Sequence, residues 1–89
     1  MMKYQFQFSP QAEDDFESLE KSLQKRVFAK LSFLEKVANP LQYSKKLNTL
    51  KERYRFRVGD YSIIVTPRND RKIVIVLVIL KIAHRKVVH

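Results

Sequence analysis

The sequence contains no cysteine, a single glycine and three prolines in 89 residues. Without cysteine there is no disulfide staple and no thiolate metal site, which fits a reducing cytoplasm. The longest uninterrupted apolar run, Ile73 to Leu80, has eight residues, far short of the ~20 that a helix needs to cross a bilayer. No apolar signal-peptide core stands near the amino end, and there are no repeats, linkers or low-complexity stretches. A cytoplasmic protein with no membrane partner is the expectation. At this length one domain, 1–89, is expected, because a second would have no core of its own. The 45% hydrophobic content and the aromatic side chains (six Phe, four Tyr) argue against disorder.

Charge is present in excess and on one side. The net charge is +9, yet residues 1–44 carry six Lys/Arg against six Asp/Glu. The whole excess therefore falls in residues 45–89. Uniform basicity serves solubility, whereas a one-sided excess points to an anionic partner, nucleic acid first and an acidic protein segment second.

The pattern along the chain predicts β-α-α-β-β-β. Tyr4 to Phe8 alternates aromatic and polar residues, as a half-buried strand does. Ser9-Pro10 reads as a helix start, with Glu13, Asp14 and Asp15 suiting the positive end of the dipole. Ala12, Phe16, Leu19 and Leu23, then Val27, Leu31 and Leu34, recur at helical spacing. A break near Ser22 would give a hairpin of two helices, although no glycine or proline enforces it. Asn39-Pro40 ends the helical region. Residues 41–52 read as a polar, basic connection. Gly59-Asp60 is a hairpin turn, Tyr61 to Thr66 a return strand stopped by Pro67, and Lys72 to Ala83 the last strand. The expected fold is a two-layer α+β domain, a helical hairpin packed on a four-stranded, largely antiparallel sheet.

The stretch Arg53-Tyr54-Arg55-Phe56-Arg57-Val58 alternates strictly. As a strand it buries Tyr54, Phe56 and Val58 and aligns three guanidinium groups at ~6.5–7 Å, about the spacing of successive nucleic-acid phosphates. Lys45, Lys46, Lys51 and Arg53 are candidate RNA-backbone contacts around it. Arginine gives forked donors to phosphate oxygens and stays protonated, so it stabilises charge and is a poor base. Only His84 and His89 have side chains whose ordinary titration lies near neutrality, so either could shuttle a proton. No metal and no cofactor enters this chemistry.

Tyr54-Arg55-Phe56-Arg57-Val58-Gly59-Asp60-Tyr61, preceded by Lys46-Leu47-Asn48-Thr49-Leu50 and followed by Ala83-His84-Arg85-Lys86-Val87-Val88, resembles the RelE/ParE toxin superfamily of toxin–antitoxin modules. The resemblance implies the toxin of a type II system. In the RelE branch that is a ribosome-dependent endonuclease of mRNA, with Arg55, Arg57 and Arg85 at the family's basic positions and His89 where many members carry a terminal tyrosine. It also implies a cognate antitoxin with an acidic or amphipathic segment, the ribosome and mRNA as partners, and operator DNA as a target of the toxin–antitoxin complex. Where many members have an arginine after the tyrosine of the return strand, this chain has Ser62. Two alternatives stand beside the nuclease: a ParE-like inhibitor of DNA gyrase, and a basic RNA-binding module without chemistry.

Overall fold

The computed structural model describes residues 3–68 and 74–86. Strand β1 (Lys3–Phe8) leads into helix α1 (Pro10–Glu17) and the longer α2 (Lys21–Lys36). A 3-10 turn (Pro40–Tyr43) and a two-residue strand β2 (Lys45–Lys46) precede β3 (Tyr54–Val58), β4 (Tyr61–Arg68) and β5 (Val74–His84). The sheet order is β1-β5-β4-β3-β2, with β1 parallel to β5 and the other three pairs antiparallel. The fold is therefore the expected two-layer α+β arrangement, with a fifth strand. The extra strand exists because Lys45 and Lys46 pair with Arg55 and Tyr54; two residues are too few to leave a periodic signal.

Local chemistry explains the boundaries. Ser9 caps α1 by accepting a hydrogen bond from the Ala12 N–H at 3.1 Å, with Pro10 at the first helical position. The helices part at Ser18–Glu20, a few residues before Ser22. The Gln24 side-chain amide donates to the Phe16 carbonyl at 2.8 Å, and the Ser18 hydroxyl to the Asp14 carbonyl at 2.9 Å. These polar side chains satisfy carbonyls at the end of α1 and let the chain turn without glycine or proline. Strand β4 does not stop at Pro67 but runs to Arg68. Tyr54, where β3 begins, faces Val65, so Pro67 sits beyond β3, on a flank with no strand to receive a ladder donor. The last strand reaches His84 instead of Ala83, and Lys72 and Ile73 lie outside the described residues.

The helices cover one face. Val27, Leu31 and Leu34 of α2 and Ala12 of α1 pack on Phe56, Val58, Ile63, Val65, Leu77, Ile79 and Ile82. Phe6 meets Phe56 edge-on at 5.9 Å between ring centroids. Glu35 of α2 accepts the Phe6 N–H at 2.8 Å, capping part of the exposed β1 edge. No helix among the described residues is long and apolar enough to cross a membrane.

The strand β5 is not regular. Val65 pairs with Ile79 and Ile64 with Lys81, so Leu80 is an extra residue, a β-bulge. Its flank is held by α1 and its cap: the Ser9 N–H donates to the Ile79 carbonyl at 2.9 Å, the Ser9 hydroxyl to the Leu80 carbonyl at 3.2 Å, and the Ile82 N–H to the Asp15 carboxylate at 2.9 Å.

Candidate functional site

The face of the sheet away from the helices carries the cations. Residues paired directly across strands share a face, so the register sets the layout. One row runs Lys45–Arg55–Ile64–Lys81 across β2, β3, β4 and β5. The next, toward the hairpin turn, runs Arg57–Ser62–Ala83. Ile64 is 5% and Ser62 1% exposed, so the centre of each row is a covered floor between longer side chains. Val76, 8% exposed, continues that apolar floor along β5.

Arg55 and Arg57 therefore line one face, as the alternation predicts. The Nε of Arg55 is buried and has no hydrogen-bond partner. Arg57 also borders a hollow of about 430 Å³ at the edge where β3 has run past β2; Arg26 and Lys30 of α2 line it too. Cationic surface thus continues round that edge. Among the described residues no carboxylate forms an ion pair with Arg55, Arg57, Lys45 or Lys81. Arg85 stands just past β5; its N–H donates to the Asp60 carbonyl at 2.7 Å and its Nε lies 3.7 Å from the Asp60 carboxylate. Both side chains of that pair are 60% exposed, and an ion pair so open to water contributes only ~0–1 kcal/mol.

The remaining sequence-predicted residues spread out. Lys45 shares the row of Arg55, whereas Lys46, opposite Tyr54, belongs to the helix side of its strand. Lys51 is exposed in the segment before β3. Arg53 bonds the Glu52 carbonyl through Nη1 at 3.0 Å. The Tyr54 hydroxyl donates to the Glu52 carboxylate at 2.9 Å. That hydrogen bond, then burial, then the Glu52 charge, raise the phenol above the ordinary tyrosine value.

His84 is not on the arginine face. It pairs with Tyr61 on the helix side, ring centroids 5.1 Å apart and edge-on, and its Nδ1 accepts the Lys86 N–H at 3.2 Å. With Leu19, Leu23 and Arg26 it borders a hollow of about 440 Å³ beneath the turn between the helices. The expectation that His84 joins the arginines fails because Leu80 inverts the alternation of β5. His89 lies outside the described residues. Among the described residues no three His, Asp or Glu side chains gather as metal donors.

Lys81 is a cation of this face that sequence reasoning misses, and Arg68, opposite Val76, is another. Counted from Leu77 and Ile79, a regular strand would send residue 81 into the core. No composition or spacing signal announces the extra residue.

The family model for the ParE toxin of type II toxin–antitoxin systems, parDE, matches residues 6–86. No curated protein matches the sequence. Among solved structures, the RelBE2 toxin–antitoxin complex of Mycobacterium tuberculosis contains a chain with a TM-score of 0.73 at 21% identity, covering 94% of this chain and 100% of that one. The archaeal RelE–RelB complex of Pyrococcus horikoshii OT3 gives a TM-score of 0.66 at 28% identity, covering 94% and 97%. The intact RelBE complex of E. coli gives 0.66 at 14%, covering 91% and 95%.

Proposed function

The chain belongs to the ParE toxin family of the RelE/ParE superfamily and is the toxin of a type II toxin–antitoxin system; from that premise we propose that it is an endonuclease of mRNA on translating ribosomes, using the open sheet face. The observation that carries this reading is a face on which Arg55 and Arg57 stand in register, with no carboxylate of the described chain paired to them. Free guanidinium groups suit a ligand that brings its own negative charge.

The chemistry needs no metal. The ribose 2′-oxygen attacks the adjacent phosphorus, the bond from phosphorus to the 5′-oxygen breaks, and a cyclic phosphate and a 5′-hydroxyl result. The 2′-proton leaves to a base, and the departing 5′-oxygen gains a proton. Arg55 and Arg57 supply fixed donors to the oxygens whose charge grows in the phosphorane. Arg85 joins them by exchanging its exposed Asp60 contact for a phosphate, which offers a stronger charge-assisted hydrogen bond. His84 stands across the sheet, which leaves His89 as the imidazole to test for proton transfer.

Transcript ends mapped in a translation extract test the proposal. Cuts are expected in translated messages, and none in free RNA. Arg57→Ala or Arg85→Ala should slow cutting by ~10²-fold, the scale of one lost transition-state donor. Undiminished cutting by both variants would remove these residues from the site.

A second reading, inhibition of DNA gyrase, is favoured by Ser62. This small, buried side chain fills the middle of the Arg57 row, where resemblance to the RelE branch leads one to expect an arginine. It predicts covalent gyrase–DNA complexes and intact transcripts. In both readings a cognate antitoxin covers the cations, through an acidic or amphipathic segment; co-purification of the chain with such a protein would show it.

A further inference from the structure

The bulge at Leu80 changes what the end of β5 presents. Up to Ile79, odd-numbered residues face the helices: Leu77 and Ile79 are fully buried there. Beyond Leu80 the alternation is inverted. Ile82 faces the helices at 4% exposure, and Lys81 and Ala83 take the open side, opposite Ile64 and Ser62. The irregularity is anchored on both sides of Lys81, by Ser9 at the Leu80 carbonyl and by Asp15 at the Ile82 N–H. Bulges of this kind re-aim side chains next to functional sites.

Lys81 is set there opposite Arg55. Both flank Ile64, one strand away on either side, so their Cα atoms stand ~10 Å apart. Two long cationic side chains at that separation can close on one tetrahedral anion above a small apolar floor. Nothing among the described residues competes for them: neither has a carboxylate partner, and the buried Nε of Arg55 has no acceptor. Burying an unpaired donor is costly, and an anion in the cleft would improve the electrostatics of both arms.

We propose that Lys81 and Arg55 grip one backbone phosphate of single-stranded RNA above Ile64, with the bulge as the device that puts the lysine in reach. This rests on the nuclease reading for the identity of the polymer. Lys81 acts by holding the strand in register with Arg57, not by moving protons.

The experiment is binding of a fluorescently labelled single-stranded RNA decamer, measured by anisotropy at several KCl concentrations, alongside transcript mapping. Lys36→Ala, at the end of α2 away from this face, serves as the control for charge alone. Lys81→Ala should weaken binding by about tenfold and lower the salt slope by about one, Lys81→Arg should restore both, and Lys36→Ala should change neither. Urea unfolding should show Lys81→Ala as stable as the parent, since residue 81 is exposed. Equal losses in Lys81→Ala and Lys36→Ala would overturn the inference, as would wild-type binding and cutting by Lys81→Ala. Selective loss of binding in Lys81→Ala without any transcript cutting by the parent would uphold the phosphate grip and overturn the nuclease reading instead.

Discussion

Asp15 shows how much one side chain can hold. Sequence reading assigns it to the positive end of the helix dipole, but it sits in the second half of α1, where its carboxylate accepts the Ile82 N–H at 2.9 Å and so ties the helix to the strand just past the bulge. Asp15→Ala should lower stability by ~1–3 kcal/mol, the cost of stranding a part-buried donor, as read from the urea midpoint. Tyr54 offers a titration of its own. Its phenol is pushed above the ordinary tyrosine value by the hydrogen bond to Glu52, then burial, then the Glu52 charge. A raised folded value means that the fold favours the protonated form. The stabilisation is complete below the unfolded tyrosine pKa and is lost as pH rises through the folded one. Ultraviolet absorbance should show one tyrosine ionising at higher pH than an ordinary tyrosine, and Glu52→Gln should bring that step down.

At the scale of elements, the β3–β4 hairpin and the β5 bulge make the site. Gly59 has φ of +58° and no other described residue has positive φ, so the turn has left-handed backbone only at its first position, the pattern of a II′ hairpin. A Cβ there would meet the Arg26 guanidinium at 3.1 Å. That group is the far end of a flexible side chain and can move, whereas the backbone strain remains. Gly59→Ala should therefore cost ~1–2 kcal/mol by urea unfolding. The alternation of Arg53–Val58 was legible because a strand with one covered face must show period two. The helix break was legible only to within a few residues, because side-chain bonds from Gln24 and Ser18 set it.

For the molecule as a whole, the charge split between the two halves puts the cationic excess in the part of the chain that builds most of the sheet. Residues 1–44 contribute one strand and both helices, and the basic half contributes the other four strands. RNA binding should therefore be strongly salt-dependent. Raising KCl from 50 to 200 mM should weaken decamer affinity by more than ~10-fold if three or more phosphates are neutralised. A flat response in the anisotropy assay would place the cations elsewhere in function.

The alternating arginines, the capped α1 and the basic second half were set by the order of residues alone, since period and composition are local properties of a chain. So was the two-layer α+β class. Which cations meet was decided only by tertiary structure. Register between strands is a relation between distant segments, and one extra residue in β5 exchanges the faces of everything after it. That single insertion moved His84 away from the arginines and brought Lys81 to them.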